Sequence, residues 1–403
     1  MKIGFSTSVI QRGKTGIAQY VLSLLRAFAD QVQSERYYLF VLEEDQHFFS
    51  GLGDRFEIIL VPEKYRPPIR NILWHQTILP GIARRLELDV LHIPSYRRLL
   101  GRRPCPLVAT IHDLAPFRVS GKYDPARTFY GRVVVKHLAR RQDEIITVSQ
   151  NTAQDMQECF RIGKNKVRVI YNGIDHSRFS PRNPEESRAA VAQKFRLVKP
   201  FFLYVARLEH PGKNHRRLIE AFERFKEESG SDWQLAFGGS DWHGADLIHA
   251  RIAESAYSSH IRALGFVSNE DLPTLYSAAE AFVYPSLYEG FGLPPLEAMA
   301  CGCPVISSAR GSLGEVVGDA AWIVDPEDVE DICDALLKLH SEPKSRTALV
   351  QKGLVHAQEF SWERAARETL AVYRMACEKQ SHQAPRARES NLPGLDSVPL
   401  SHK

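Results

Sequence analysis

No stretch of eighteen apolar residues occurs in the 403-residue chain, so no membrane-spanning helix is expected. The opening MKIGFSTSVI is too short and too strand-like for a secretory signal. Cysteine is scarce. Six in 403 residues do not make a disulfide framework, and Cys301 and Cys303, two apart, match neither C-x-x-C nor a metal-ligand spacing. All six are read as reduced thiols of a cytoplasmic chain. No Asp-x-Asp follows a strand-like apolar run, so no metal site is expected. There is no internal repeat, and no nucleic-acid partner is expected.

The length exceeds the roughly 250–300 residues that one core serves, so two domains are expected. The formal net charge of +4 is unevenly spread. Residues 1–178 carry 27 Lys and Arg against 17 Asp and Glu, and the remainder carries 25 against 31. A basic amino-terminal half suits an anionic partner or the anionic inner membrane surface, and equally a solvated basic face. Arg84, Arg85, Arg97, Arg98, Arg102 and Arg103 concentrate that charge near aliphatic residues.

Along the chain, strand-like runs alternate with helical patterns, the signature of parallel α/β domains. Residues 2–9 read as a strand, and a glycine-containing loop leads to a helix from Gly16, with Ile17, Val21, Leu24, Leu25 and Phe28 at helical spacing. Strand, glycine loop and helix can together hold phosphate. Strands follow at 38–42, 56–61, 89–93, 106–110, 144–149 and 167–171, with helices over 70–86 (broken near Pro80-Gly81), 124–141 and 150–160, the last capped by Ser149. The 106–110 strand ends in Ile111-His112-Asp113. Polar groups at a strand's carboxyl end lie where open parallel sheets bind ligands, although His112 alone would serve as a packed histidine and Asp113 as a cap.

Residues 179–199 read as a linker, polar and containing Pro181 and Pro184. A second set of strands begins at 201–205, whose end carries Ala206-Arg207, and Lys213 opens the next helix. Two fixed cations there can clamp a diphosphate and meet the charge that develops on it as it leaves. Gly238-Gly239 is a glycine turn, Asn269 reads as the cap of a helix to 279, and 311–314 as a flexible loop. Glu315 is read as a helix acid and nothing more. Helices are expected over 328–339 and 345–359, then from 360 to about 378, and the polar tail 379–403 is expected to be disordered.

The most informative stretch is Tyr284–Ser307, YPSLYEGFGLPPLEAMACGCPVIS. Ala281–Tyr284 reads as a buried strand, Pro294 and Pro295 suit the first positions of a helix, and Gly302 suits its end. Glu289 falls in the loop and Glu297 is expected in the helix's first turn. The amides of Gly292 and Leu293 suit an anion, and two carboxylates suit hydroxyls. A ligand bearing both phosphates and many hydroxyls is a nucleotide sugar.

The segment EGFGLPPLEAMACGCPVI resembles the E-x7-E motif of retaining glycosyltransferases of family 4. IHD at 111–113, V-S-x-x-T from Val148, YNGID at 171–175 and LGFV at 264–267 are similar to further landmarks of that family. The resemblance spans roughly residues 1–377. It implies an α/β fold of two Rossmann-like doubly wound domains (GT-B) facing across a cleft. The acceptor domain would be 1–178 and the nucleotide-sugar domain 200–360, with a helix at 361–378 crossing back.

The resemblance further implies donor binding by Gly16, Arg207, Lys213, Gly265, Val267, Glu289, Gly290, Phe291, Gly292, Leu293 and Glu297. It places His112, Glu289, Arg207 and Lys213 at the chemistry, and Gly13 and Asp113 on the acceptor side. The family spacing R-x4-K is R-x5-K here, which puts the loop's shape in question. The implied reaction is metal-free, retaining hexosyl transfer to a glycan or lipid-linked glycan in surface polysaccharide synthesis, with no cofactor beyond the donor. Likeness to bacterial mannosyl- and rhamnosyltransferases makes GDP-mannose the first donor to test. A nucleotide-sugar epimerase of similar fold, which should lack the E-x-G-F-G-L-P-x-L-E segment, and a non-catalytic scaffold are the alternatives.

Overall fold

The computed structural model describes residues 1–13, 15–31, 34–118 and 130–383. The start of the helix expected over 124–141, and the tail from 384, lie outside the described residues.

Thirteen strands form two separate sheets, and every pairing within them is parallel. The first sheet contains β1 (Lys2–Ser6), β2 (Arg36–Leu42), β3 (Phe56–Val61), β4 (Val90–Ile93), β5 (Leu107–Ile111), β6 (Glu144–Thr147) and β7 (Val167–Val169), in the order β3-β2-β1-β4-β5-β6-β7. The second contains β8 (Phe201–Val205), β9 (Gln234–Gly238), β10 (Ile261–Gly265), β11 (Ala281–Tyr284), β12 (Val305–Ser308) and β13 (Trp322–Val324), in the order β10-β9-β8-β11-β12-β13. Most strands are buried along almost their whole length, as parallel sheets covered on both faces require.

Each sheet reverses its winding once, between β1 and β4 in the first and between β8 and β11 in the second. A doubly wound sheet opens a crevice at that point, outside the carboxyl ends of its strands. Ser6 and the Pro94–Arg98 segment border the first crevice, Arg207 and the Glu289 loop the second.

The helices used below are α1 (Gly16–Asp30), α2 (Pro68–Thr77), α3 (Gln150–Phe160), α4 (Pro184–Phe195), α5 (His215–Ser229), α6 (Leu272–Ala278), α7 (Leu293–Ala300) and α8 (Trp362–Gln383). Helix α1 starts where Thr15 Oγ1 accepts the Ala18 N–H, and α3 where Ser149 Oγ accepts that of Thr152. Helix α8 crosses back onto the first domain. Its Tyr373 hydroxyl lies 2.6 Å from His92 Nδ1, and His92 Nε2 reaches Thr110 Oγ1 at 2.8 Å.

Several boundaries differ from the sequence reading. Residues 184–195 of the expected linker form α4, whose Asn183 cap accepts the Glu185 and Glu186 amides and whose Val191 is buried. Asn269 does not cap α6. Ser268 Oγ binds Asp271 instead, and the helix begins three residues later, with Pro273 in its first turn. The break within 68–85 falls at Ile78, ahead of Pro80, because proline suits the first turn of the following helix. Helix α8 runs to Gln383, five residues beyond its expected end.

Candidate active site

The β11–α7 unit forms as its residues dictate. Pro294 suits the helix start, Gly302 follows the last turn at φ +76°, and Leu296, Ala298, Met299 and Ala300 are buried. No side chain caps the start of α7, and Pro294 and Pro295 carry no N–H, so the donors at this helix start are the Gly292 and Leu293 amides.

Glu289 sits in the loop between them, mostly buried, on three neighbours. Its Oε1 accepts from Lys213 Nζ (2.5 Å) and the Tyr284 hydroxyl (3.0 Å) and lies 2.6 Å from Ser286 Oγ. Lys213 Nζ also lies 3.3 Å from the Tyr284 hydroxyl. Burial alone would pull the Lys213 ammonium down; the Glu289 carboxylate and the surrounding groups hold it above its usual value. The loops carrying the pair are fastened together. Asn214 Nδ2 donates to the Pro285 and Pro326 carbonyls (3.0 and 2.6 Å), and the Leu287 N–H to that of Gly212 (3.0 Å).

Beneath Glu289 runs the 311–314 segment, expected as a flexible loop. It is a floor. A Cβ on Gly311 would stand 2.6 Å from the Glu289 carbonyl oxygen, and Ser312 gives its N–H to that oxygen at 3.1 Å while its Oγ reaches the Phe291 carbonyl at 2.8 Å.

Arg207 is held differently from Lys213. It is half-exposed, lies 4.7 Å over the Trp242 ring and donates to Glu209 at 3.2 Å. The extra residue between Arg207 and Lys213 belongs to a segment tied to the following turn: the Leu208 N–H donates to Ser240 and the His210 N–H to His243, both at 3.0 Å. At that turn the Gly239 N–H donates to the Gly265 carbonyl at 2.7 Å, and Val267 is buried beside Gly238.

Glu297 lies in the second turn of α7 rather than the first, because the helix starts at Leu293. Burial pushes its carboxyl up to about 7, against the opposing influences of the Arg178 charge and the Tyr276 hydroxyl, which donates at 3.1 Å.

Across the cleft, His112 stands at the end of β5, edge-on to Tyr20 with ring centroids 4.7 Å apart. It hydrogen-bonds the Pro94 carbonyl, and its buried Nε2 has no partner. Burial brings the imidazole down to about 4, so at neutral pH it is uncharged. A carbonyl can only accept, so the proton is on Nδ1 and Nε2 offers a lone pair. Asp113 Oδ1 accepts the Ala115 N–H at 3.0 Å, the capping role that the sequence allowed. Gly13, at φ +76°, sits against Phe48, and Gly16 opens α1.

The two halves meet at Gly290. A Cβ there would stand 2.0 Å from the His112 carbonyl oxygen and 2.7 Å from Asp113 Cβ. The Thr152 hydroxyl lies 3.4 Å from the Gly290 carbonyl, and the Tyr288 hydroxyl donates to Asp155 at 2.5 Å. Glu315 is more than a helix acid. Its carboxylate accepts the Gln150 and Asn151 amides (2.9 and 2.8 Å) at the start of α3 and the Tyr171 hydroxyl (3.0 Å). A carboxylate there is favoured by the helix dipole as well as by the orphan amides.

The structure therefore brings His112, Asp113, Glu289 and Gly290 to one seam, with Lys213 on Glu289, and places Arg207, Gly265 and Val267 along the neighbouring strands. Sequence reasoning missed Tyr284, Ser286, Asn214, Ser312, Asp155 and Arg178. All act through the folded chain, and only Tyr284 and Ser286 lay inside the motif that signalled the site.

Comparison with known proteins is consistent with this geometry. The model for "Glycosyltransferase Family 4" matches residues 14–178, and that for "Glycosyl transferases group 1" matches residues 187–355. The chain is 32% identical over 391 residues to O-antigen chain mannosyltransferase B of Escherichia coli, covering 93% of this chain and all of that one. It is 31% identical over 313 residues to the MMP alpha-(1->4)-mannosyltransferase of Mycolicibacterium hassiacum, covering 73% and 72%. Among solved structures, the sucrose-phosphate synthase of Thermosynechococcus elongatus superposes with a TM-score of 0.76 at 21% identity, over 94% of this chain and all of that one. Anabaena HepE, in complex with UDP and glucose, superposes with a TM-score of 0.73 at 18% identity, over 93% and 100%. Two doubly wound domains, the E-x7-E loop at the second switch point and family models that together span most of the chain lead to one assignment: the chain belongs to glycosyltransferase family 4.

Proposed function

We propose that the protein transfers a hexosyl group, mannosyl in the first instance, from a nucleotide sugar to a glycan or lipid-linked glycan, with retention and without a metal ion, in the assembly of a surface polysaccharide. The observation that carries the reading is the seam at Gly290, where the loop holding the Lys213–Glu289 pair packs against the backbone of a neutral His112. The mannosyltransferase relatives favour mannose, and GDP-mannose is the donor to test first; the UDP held by the HepE structure keeps uridine nucleotides in the panel.

In this reading Arg207, Lys213 and the amides of Gly292 and Leu293 meet the diphosphate. Phe291 and Gly290 shape the loop, Gly265 and Val267 border the base, and Glu297 holds the ribose. Glu289 orients sugar hydroxyls. His112 Nε2 accepts a hydroxyl near the reacting carbon, Gly16 lies toward the donor's phosphates, and Gly13 and Asp113 lie toward the acceptor. The bond from the anomeric carbon to the diphosphate breaks, the bond to the acceptor oxygen forms on the same face, and the acceptor's proton passes to the departing phosphate oxygen. Two fixed cations and a helix start stabilise that leaving group electrostatically. No helix among the described residues is long and apolar enough to cross a membrane; the basic first half would serve peripheral contact with an anionic leaflet at the cytoplasmic face.

The test is a thermal-shift panel of GDP, UDP, ADP and dTDP with their sugars. One nucleotide should stabilise the fold, by about 2.7 kcal/mol at a hundredfold excess over its dissociation constant. Turnover of the matching sugar should survive EDTA and give a product with the donor's anomeric configuration. An inverted product, or a loss that magnesium restores, would sink the corresponding part of the proposal.

Glu297 makes a second expectation. A ribose diol donating to its carboxylate favours the ionised form. With the carboxyl near 7, nucleotide binding should release about half a proton at pH 7 and none at pH 9. Calorimetry in buffers of different ionisation enthalpy measures this, and Glu297→Gln should abolish it. In the free protein the raised value means that the native state holds more protons than the unfolded chain between about pH 4.5 and 7. Stability from this group therefore falls as pH rises through that window.

A further inference from the structure

Taking the proposed transfer as its starting point, we infer that Trp242 is a positioning residue for the reaction: its indole face holds the Arg207 guanidinium where the departing diphosphate meets it. Arg207 follows β8, and Trp242 lies in the turn between β9 and the helix Ala245–Glu254. The guanidinium carbon stands 4.7 Å over the centre of the indole ring, and one Nη donates to the Glu209 carboxylate at 3.2 Å. Among the described residues this is the one hydrogen bond that Arg207 makes, so most of its five-donor fork is open to an anion.

The backbone sets this contact. Beyond their ends β8 and β9 stay laddered. The Leu208 N–H donates to the Ser240 carbonyl and the Trp242 N–H returns to that of Leu208, both at 3.0 Å. The His210 N–H then reaches the His243 carbonyl at 3.0 Å, and the Ala245 N–H closes the turn on the Trp242 carbonyl at 3.1 Å. A Cβ on Gly239 would stand 1.9 Å from the Ala206 carbonyl oxygen, so the two chains run this close only because glycine is there. Side chains alternate along a ladder, which puts Arg207, Glu209 and Trp242 on the face opposite the buried Leu208. The segment that holds the extra residue between Arg207 and Lys213 is thus the one that brings Trp242 to Arg207.

The two cations of the clamp are fixed by different means. Lys213, just ahead of α5, is buried against Glu289. Arg207 is half-exposed on a long side chain, and without support it would lose rotamer freedom each time a diphosphate arrived. A guanidinium already stacked on indole is preorganised, and stacking leaves its N–H edge uncovered. A ring face holds the cation without competing with phosphate for those N–H groups, as a second carboxylate would. Trp242 is itself 56% exposed and outside the hydrophobic core, so replacing it leaves no cavity.

The test is a double-variant cycle in the intact protein, read as GDP-mannose turnover and GDP affinity, or as UDP-glucose turnover and UDP affinity where the panel selects uridine. Trp242→Leu should lower kcat/KM and affinity by about fivefold each, equal to about 1 kcal/mol, while melting as the wild type does. Charge on the leaving group grows in the transition state, so kcat should fall rather than KM rise alone. Trp242→Phe keeps an aromatic face and should retain at least about half of both. In an Arg207→Gln background, Trp242→Leu should change neither by more than about twofold. The same fivefold loss in that background would mean that the indole touches the ligand itself, and would overturn the inference. So would wild-type values in Trp242→Leu, or a loss in Trp242→Phe as deep as in Trp242→Leu. A wild type that neither binds nor turns over any nucleotide of the panel would overturn the transferase reading and the inference with it. A wild type that does both, with no coupling between the two positions, would overturn the inference alone.

Discussion

Glu289→Gln is expected to lower transfer by about 10²–10³-fold and, at the same time, to destabilise the carboxyl-terminal domain. The first effect follows from removing a fixed charge at the reacting centre. The second follows from Lys213. With both side chains about 15% exposed, the amide leaves an ammonium buried without its counter-charge, and breaking such a pair costs about 3–5 kcal/mol. A domain of that size should lose roughly 6–20 °C of melting temperature. The two effects separate in a double variant. Lys213→Met with Glu289→Gln removes both charges and should recover much of the lost stability while transfer stays low. A Glu289→Gln protein that is less stable yet transfers at the wild-type rate would reduce the glutamate to a structural partner of Lys213.

Gly290→Ala is the second large effect. The added methyl would stand 2.0 Å from the His112 carbonyl oxygen, a backbone atom that cannot rotate away. The clash lies on the seam between the domains rather than in either core. The halves should therefore be held apart while each stays folded. Transfer is expected to fall by at least about 100-fold, since a displacement of 1 Å at a reacting centre costs that much. Nucleotide affinity, which in the proposed reading rests on the second domain with Gly16 as its contact from the first, should stay within a few-fold. Small-angle scattering should report a more open particle. Wild-type turnover in this variant would mean that the seam is not the arrangement in which reaction occurs. The contacts of Glu315 with the α3 amides and of Tyr288 with Asp155 would then describe a resting state.

The elements that were legible in the sequence are those with local causes. Ala281–Tyr284 is a strand because four consecutive apolar residues suit a position covered on both faces, and Ser149 caps α3 because its hydroxyl can reach the Thr152 amide. The elements that were not legible depended on distant partners. A polar linker concealed α4 because its one buried aliphatic, Val191, leaves hardly any periodic signal. Glu315 read as a helix acid and nothing more because its partners stand some 165 positions earlier in the chain. The 311–314 segment read as flexible because glycine permits motion as readily as it permits close approach, and only the Glu289 backbone above it selects the second.

By itself the sequence determined the two-domain α/β architecture, most of its strands and, through local chemistry together with the family resemblance, the candidate residues His112, Arg207, Lys213, Glu289 and Glu297, since motifs and local patterns are written along the chain. Tertiary structure alone decided how those residues are charged and paired. His112 is neutral and Glu297 titrates near neutrality because burial penalises the ionised form. Lys213 stays an ammonium because Glu289, 76 positions later, is folded against it. Protonation depends on the dielectric and the neighbours that folding supplies, and neither is a property of any one segment of sequence.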